Sequence, residues 1–396
     1  MHVVCHVITK LELGGAQEVA MQVVSGLDRR RFRPVLLAGP GGLLTDEAHA
    51  LKGVEVRTIP SLVREIRPLQ DLCALWELVG AFRRLRPKIV HTHSSKAGIL
   101  GRVAAWLAGV PCILHTIHGY DVTPAQPFWQ QKALIALERM VGRITTHWVA
   151  VSQADRRQGI EWGLFTASKV SVVRPGIDPT AFAARIESPE RDRLRAMLGV
   201  APDQLLVGTV SCLKPQKSPE DFIRVAALVC QRVPAARCVL VGDGVLRPNI
   251  EALLLAQGLQ NRVTLLGWRR DVAALLKTFD VFVLTSQWEG LPCAILEARA
   301  SRIPIVATRV GGAAEAIVEG IQGTLCPAGD VRAMAERVCQ ILEDERFRVD
   351  LRTGTQELPE EFTIQETLKQ YQSLYAYLLH ATRPSEDVMK LQPNRL

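Results

Sequence analysis

Two glutamates stand eight positions apart in the segment TSQWEGLPCAILEA, directly after the apolar run DVFVLTS. The run predicts a buried strand, and Pro292 is suited to the first position of a helix, so we expect a strand, a turn and a helix. Glu289 then lies in the turn, and Glu297 lies one to two turns inside the helix. Unpaired N–H groups near Gly290 and Leu291 are suited to an anion. We therefore expect the two carboxylates to contact different parts of one extended ligand.

A basic loop, SCLKPQKSPEDF, follows an earlier predicted strand in the same half of the chain. Lys214 and Lys217 lie in this loop just before a predicted helix. Compact ammonium groups at such a place can neutralise a phosphate. The loop is therefore a candidate phosphate contact.

Two more strand ends, VGDGVLRPNI and LLGWRRD, carry polar and aromatic residues. Each alone is most often a loop with a capping residue, and Asp271 is the expected N-cap of the helix after the second one. At successive strand ends of one sheet, however, they are predicted to line a ligand site, where the tryptophan would lie beside a base. The candidate residues are Gly242, Asp243, Gly244, Arg247 and Trp268.

The first half of the chain has its own candidates. Gly14 and Gly15 precede a helix and allow close approach of a ligand to its N-terminus, although the pattern lacks the full GxGxxG dinucleotide motif. His91 and His93 are two residues apart on one strand, but no carboxylate or thiolate joins them at a recognised ligand spacing, so we expect no metal site. We predict a polar cleft lining in which His118 meets a substrate hydroxyl or phosphate.

Short β-branched runs alternate with helical patterns along the whole chain, which predicts two doubly wound α/β units with a cleft between them. The predicted strands of the first unit are HVVCHVIT, RPVLLAG, PKIVHTH, PCILHTIHG and HWVAVS, and those of the second are QLLVGTVS, ARCVLVGDG, RVTLLGW, DVFVLTS and PIVATRVGG. We expect domains at 1–178 and 179–365, a closing helix at about 366–382 that packs back on the first domain, and a polar tail at 383–396.

Composition excludes several classes of protein. The net charge of +8 is confined to residues 1–200, where 26 Lys and Arg outnumber 17 Asp and Glu. With few aromatic residues among the basic ones, nucleic acid is disfavoured. Nine scattered cysteines without a CxxC pair indicate reduced core residues, and no signal or membrane-spanning segment is expected. These features predict a cytoplasmic protein, whose basic first half would suit peripheral association with an anionic membrane face.

The chain resembles family 4 of the retaining nucleotide-sugar glycosyltransferases, which have two Rossmann-like domains in the GT-B arrangement. The resemblance covers nearly the whole chain. Its motifs are LGGAQ, HTHSSKAG, HTIHG, VSQAD, VVRPGID, KPQK, VGDG, LLGWRRD, SQWEGLPCAILEA and TRVGGAAE. The pair of glutamates matches the family's E-x7-E motif.

The resemblance implies a role for the main candidate residues. It implies that Glu289 faces the transferred sugar, Glu297 the ribose hydroxyls and Lys217 the diphosphate. His118 would lie by the donor sugar, and Gly14 with Gly15 by the phosphates or the acceptor. The family commonly has an arginine where this sequence has Cys212. Either Lys214 compensates for that charge, or diphosphate binding rests on Lys217 alone.

The resemblance implies a retaining hexosyltransferase that moves a sugar from a nucleotide-diphosphate sugar to an acceptor hydroxyl. The expected donor is a UDP-sugar. Catalysis would rest on His118, Glu289 and Lys217, without a metal or other cofactor. The expected acceptor is a glycan or a lipid-linked sugar, in the synthesis of a cell-surface polysaccharide, glycolipid or glycoconjugate. Two alternatives remain open, a GT-B nucleotide-sugar 2-epimerase and a non-catalytic sugar-binding protein of the same fold.

Overall fold

A computed structural model describes residues 1–123, 126–184, 187–354 and 357–381. The expected tail at 383–396 lies outside the described residues. Within them, two parallel sheets alternate with helices, which confirms the predicted α/β architecture. Among the described helices, none is both long and apolar enough to cross a membrane.

The first sheet has seven strands in the order β3-β2-β1-β4-β5-β6-β7, and the second has six in the order β10-β9-β8-β11-β12-β13. The strands are β1 His2–Ile8, β2 Phe32–Ala38, β3 Glu55–Thr58, β4 Ile89–His93, β5 Cys112–Ile117, β6 His147–Ala150, β7 Val170–Val172, β8 Leu205–Val210, β9 Ala236–Val241, β10 Val263–Gly267, β11 Val281–Leu284, β12 Ile305–Thr308 and β13 Gly323–Cys326.

Helices cover both faces of each sheet. They are α1 Gly15–Gly26, α2 Thr45–His49, α3 Pro68–Leu85, α4 Ser95–Leu107, α5 Phe128–Gly142, α6 Gln153–Glu161, α7 Pro179–Ala183, α8 Ser188–Met197, α9 Pro219–Arg232, α10 Arg247–Ala256, α11 Val272–Leu276, α12 Cys293–Ala300, α13 Ala313–Ala316, α14 Val331–Glu343, α15 Glu345–Gly354 and α16 Ile364–Ala381.

All ten predicted strands are present, but the sequence patterns missed three others. These are β3, β7 and β13, which have only three or four residues each and lie at the ends of their sheets. The sequence EVRT of β3 is mostly polar, because one side of an edge strand is not covered by another strand. A run so short and polar has no clear signature of burial.

Strand order reverses beside β1 in the first sheet and beside β8 in the second. At such a point the loops from two neighbouring strands diverge to opposite faces and leave a crevice at the carboxyl ends of the strands. The loops after β1, β8 and β11 contain half of the candidate residues, and the others follow β5, β9 and β10 or lie in α12. The topology thus explains why residues far apart in sequence meet in one cleft.

The chain returns to the first sheet at its end. Ile177 and Thr363 form a parallel bridge, and a Cβ on Gly176 would lie 2.2 Å from the carbonyl carbon of Thr363, so only glycine fits at this crossing. Helix α16 then packs on α1 and on the first sheet, where Tyr371 and Tyr375 are fully buried. These two tyrosines pack against the central strands of the first sheet.

Candidate functional site

Glu289 lies in the turn between β11 and α12, and its carboxylate is held by three donors. Ser286 Oγ donates to Oε1 at 2.6 Å, the Lys217 ammonium pairs with the same oxygen, and Gln216 Nε2 donates to Oε2 at 3.5 Å. Only 8% of Glu289 is exposed. The sequence reasoning paired Glu289 with neither Ser286 nor Gln216, although both lie in the motifs it quoted.

The basic loop between β8 and α9 is fixed against the β11–α12 turn. Gln287 N donates to Gln216 O at 2.8 Å, and Thr285 Oγ1 donates to Lys217 O at 3.0 Å. Burial and the neighbouring Lys217 lower the pKa of Lys214. The structure therefore brings both lysines to one strand end, as an anion-binding loop requires.

Cys212 lies in the same loop and is half-buried. Burial raises the pKa of its thiol, with the two lysines acting in the opposite direction. The thiol is therefore neutral at pH 7 and adds no charge beside the lysines.

Gly242 and Gly244 support the basic loop by close packing. Both have positive φ, of 131° and 157°. A Cβ on Gly242 would lie 2.0 Å from Ser211 O, and one on Gly244 would lie 2.5 Å from Leu213 O. In this structure their lack of a side chain lets the VGDG turn support the loop that carries Lys214.

The remaining candidates of the second sheet group around the VGDG turn. Asp243 accepts from the backbone N–H of Gly244 at 2.8 Å and lies 3.4 Å from Arg247, while Trp268 is 37% exposed. Asp271 does occupy the N-cap position of α11, but its carboxylate caps no N–H. The predicted N-cap position is therefore confirmed, and its carboxylate is engaged instead by Arg269, whose Nε and Nη2 donate to it at 2.8 and 2.6 Å.

Glu297 lies in the second turn of α12, and its carboxylate makes no hydrogen bond to any residue that the structure describes. Burial, together with the nearby carboxylate of Glu18 from α1, raises its pKa to about 8. Glu297 is therefore mostly protonated at pH 7 and can donate a hydrogen bond as well as accept one. Glu18 was not among the sequence candidates; it lies three residues after the Gly pair and faces Glu297 only in the folded chain.

The N-termini of α1 and α12 meet across the cleft. A Cβ on Gly15 would lie 3.6 Å from the Sγ of Cys293, the first residue of α12. Gly14 occupies the N-cap position of α1 with an extended backbone. The two helix ends therefore direct unpaired N–H groups into the same space, which favours a negatively charged ligand there.

His118 and Gly290 join the two halves of the site. A Cβ on Gly290 would lie 2.7 Å from both the carbonyl carbon and the carbonyl oxygen of His118, so the two loops are in backbone contact. Leu291, next in the turn, is buried. Burial lowers the pKa of His118 to about 4, which leaves its imidazole neutral at pH 7.

Three buried histidines behind His118 form the best candidate metal ligands among the described residues. One ligand nitrogen of each of His6, His91 and His93 lies within 4.8 Å of the others. Burial keeps all three imidazoles neutral by lowering their pKa values, as metal ligation requires. Their ring nitrogens, however, already form hydrogen bonds. A metal would have to displace several of these bonds.

Glu315 links the second sheet to the first. Its carboxylate accepts from the backbone N–H groups of Gln153 and Ala154, at 3.1 and 2.8 Å, and pairs with Arg174 at 2.9 Å. It thus caps the N-terminus of α6 from the other half of the chain. The contact holds the loop after β12 against the first sheet, close to Gly290.

Comparison with known proteins assigns the chain to a family. The description "Glycosyltransferase Family 4" matches residues 13–181, and "Glycosyl transferases group 1" matches residues 190–358. The UDP-Gal:alpha-D-GlcNAc-diphosphoundecaprenol alpha-1,3-galactosyltransferase of Escherichia coli is 30% identical over 375 residues, which are 94% of this chain and 96% of that protein. The chain belongs to the family 4 glycosyltransferases. This confirms the resemblance seen in the sequence motifs.

Solved structures show the GT-B fold of the glycosyltransferase. Anabaena Alr3699/HepE in complex with UDP-glucose has a TM-score of 0.81 at 22% identity, and covers 95% of this chain and 100% of that one. The sucrose-phosphate synthase of Thermosynechococcus elongatus has a TM-score of 0.80 at 20% identity, with 96% and 100% covered. The family assignment makes the protein a glycosyltransferase with a nucleotide-sugar donor, and neither alternative is favoured.

Proposed function

We propose that the glycosyltransferase moves a hexose from a UDP-sugar to a hydroxyl of a lipid-linked or glycan acceptor and retains the anomeric configuration. The observation that carries the proposal is the meeting of Glu289, Lys217, Gly290 and His118 at one point between the two sheets. The second domain, residues 179–365, would bind the donor, and the first domain, residues 1–178, would bind the acceptor. UDP is supported by the names of the Escherichia coli relative and of the HepE complex.

The donor would lie along the carboxyl ends of the second sheet. Lys217, with Lys214 beside it, would bind the diphosphate near the N-termini of α1 and α12. Glu297 would contact the ribose, and Trp268 would lie by the base. In the structure, Lys217 is paired with Glu289. A bound diphosphate would share that ammonium and leave the carboxylate of Glu289 free to contact the sugar.

The charges of the protein itself would stabilise the transition state. The leaving diphosphate gains negative charge, which ammonium groups and helix N-termini stabilise, and the sugar gains positive charge, which a carboxylate near it stabilises. We therefore propose that transfer needs no metal. Because three donors already hold Glu289, it is a weak nucleophile, which supports same-face attack by the acceptor hydroxyl rather than a covalent intermediate.

A lipid-linked acceptor is supported by apolar side chains at the rim of the cleft. Helices α3 and α5 begin at the carboxyl edge of the first sheet, and their first turns expose large apolar residues. Arg64 lies two residues before Ile66, and Arg67 lies between Ile66 and Leu69. A basic, apolar rim is suited to an anionic membrane surface. The exposed residues are Ile66, Leu69, Leu72, Phe128 and Trp129.

A transfer assay tests the proposal. Purified protein would be given UDP-, GDP- or ADP-sugars together with a polyprenyl-diphosphate sugar, and the anomeric configuration of the product would be read by NMR. We expect transfer from a UDP-sugar with retention, and loss of transfer in Glu289→Gln and Lys217→Ala at saturating donor. Inversion, or transfer unchanged in both variants, would contradict the proposal. Conversion of the donor without an acceptor would instead indicate an epimerase.

A further inference from the structure

Seven side chains form a continuous chain of hydrogen bonds that leads from the cleft into the first sheet and ends on α16. We call these seven side chains, which are named below, the histidine chain. His118 Nε2 lies 3.0 Å from His93 Nδ1, and His93 Nε2 lies 3.0 Å from His6 Nδ1. The chain continues to a tyrosine, a third histidine, a threonine and a second tyrosine. In order, its members are His118, His93, His6, Tyr375, His91, Thr116 and Tyr371.

The fold places these groups in line. His6 is directly opposite His91 on the neighbouring strand, and His93 is opposite Thr116. Tyr375 OH then bridges His6 Nε2 at 3.2 Å and His91 Nδ1 at 2.6 Å from the side of α16. All members except His118 are buried. Water therefore does not compete for these bonds inside the sheet.

Each member of the histidine chain has one hydrogen to donate, and the hydroxyl oxygens can accept up to two bonds. The inner histidines are fully buried and bond only to other histidines and to hydroxyl groups among the described residues, so no neighbouring carboxylate compensates a charge on them and they are neutral. A neutral imidazole donates from one nitrogen and accepts at the other. A hydroxyl donates only one hydrogen. The seven members therefore bring seven hydrogens to six bonds. If every bond runs toward His118, the hydrogen left over is on His118 in the cleft, and if bonds run away from His118, the hydrogen left over is on a buried member.

The buried end of the chain decides between the two directions. Tyr371 OH lies 3.2 Å from Thr116 Oγ1, its one hydrogen-bond partner among the described residues. If the bonds ran away from His118, the hydroxyl hydrogen of either Tyr371 or Thr116 would be buried without an acceptor among the described residues, which is unfavourable. If the bonds run toward His118, every hydrogen in the buried part has an acceptor.

We infer that the histidine chain holds His118 as the tautomer with its hydrogen on Nδ1, so that His118 acts as a hydrogen-bond donor in the cleft. Nε2 accepts from His93, and Nδ1 makes no bond to any residue that the structure describes. This inference rests on the proposed function, in which His118 contacts the donor sugar. Oxygen atoms of the sugar are the acceptors suited to such an N–H group. His93, His6, Tyr375 and Tyr371 are then positioning residues that act through His118.

The tautomer is measured directly in the protein labelled with ¹⁵N-histidine, without substrate. Long-range ¹H–¹⁵N correlation at pH 7 is expected to show His118, His93, His6 and His91 neutral, each with its hydrogen on Nδ1. A hydrogen on Nε2 of His118 would overturn the inference. So would a metal ion found in stoichiometric amount by elemental analysis and bound to these histidines, because it would occupy the nitrogens that carry the chain.

Variants of His93 test whether the tautomer matters for transfer. His93→Leu removes the donor to His118 Nε2, whereas His93→Asn, although smaller, places an amide N–H near the position of His93 Nδ1. We expect His93→Leu to give a mixture of His118 tautomers and to lower kcat/KM for the donor about tenfold or more, as loss of a partner that orients a functional histidine does. His93→Asn is expected to retain the tautomer and most of the activity.

A matched control separates this effect from general damage to the core. His115 is also buried in the first sheet, but it bonds to Thr92 and lies outside the histidine chain. His115→Leu is expected to lower thermal stability about as much as His93→Leu and to leave the His118 tautomer unchanged. Equal kcat/KM in the two His93 variants would overturn the inference. Absence of transfer by the wild type would contradict the proposed function, while the NMR result would still decide the tautomer.

Discussion

Lys217→Met is predicted to destabilise the glycosyltransferase as well as to inactivate it. The ammonium of Lys217 pairs with Glu289, and their side chains are only 18% and 6% exposed. Removing one partner of a buried ion pair typically costs about 3–5 kcal/mol, because the other charge stays buried without compensation. Ser286 and Gln216 still donate to the carboxylate. We therefore place the cost at the lower end, at about 3 kcal/mol.

The double variant Lys217→Met/Glu289→Gln separates stability from activity. Both charges are then absent, and the two neutral side chains have nearly the original size. We expect most of the lost stability to return, since replacement of a whole buried pair is often close to neutral. Transfer should not return, because both the contact to the diphosphate and the carboxylate near the sugar are missing.

Thermal unfolding and a transfer assay at saturating donor measure the two effects. For a domain of 150–250 residues, about 3 kcal/mol corresponds to a decrease in Tm of roughly 6–12 °C. Glu289→Gln alone should destabilise less, because Lys217 is the more exposed partner. The reasoning would be refuted if Lys217→Met unfolded at the wild-type temperature, or if the double variant were no more stable than Lys217→Met.

Three further substitutions test other parts of the cleft. Gly290→Ala places a Cβ 2.7 Å from the backbone of His118, so we expect a loss of transfer and about 1–3 kcal/mol of stability, whereas Gly80→Ala, which meets only an arginine side chain at 3.5 Å, should cost neither. The pKa of Glu297 is raised in the folded protein, so the protonated side chain contributes fully to the stability of the fold below pH 4.5. This contribution is lost as the pH rises through about 8. Glu297→Gln should therefore raise Tm more at pH 9 than at pH 6, and an equal change at both would contradict this. Cys212→Arg should tighten donor binding about tenfold or more in a calorimetric titration, as a charged hydrogen bond does, and an unchanged Kd would mean that the lysines suffice.

The sequence predicts the repeating α/β architecture and the family, because both depend on patterns that are local in the chain. Buried parallel strands are continuous apolar runs, and the turns after them carry the motif residues. The positions of Glu289 in a turn and Glu297 in the following helix were also predictable from Pro292. The edge strand β3 was not, since exposure on its open side removes the apolar signature.

The histidine chain shows what the sequence does not predict. His91 and His93 drew attention by their spacing, but their partners come from β1, β5 and α16, and Tyr375 is 284 residues away from His91. Nothing in a helix pattern distinguishes a tyrosine that packs in a core from one that completes a hydrogen-bond chain. Only strand order and register bring these groups together.

The electrostatics of the cleft suit the nucleotide diphosphate of the proposed donor. Burial and the neighbouring ammonium lower the pKa of Lys214, while burial beside a second carboxylate raises that of Glu297. Both shifts mean that the protein holds these charges less favourably than water would. In the proposed complex, a diphosphate between the lysines would supply the missing negative charge and draw Lys217 away from Glu289. Glu289 would then lose its own cation at the moment when a sugar that is gaining positive charge lies beside it, so binding of the diphosphate and stabilisation of the sugar would be coupled through this one ion pair.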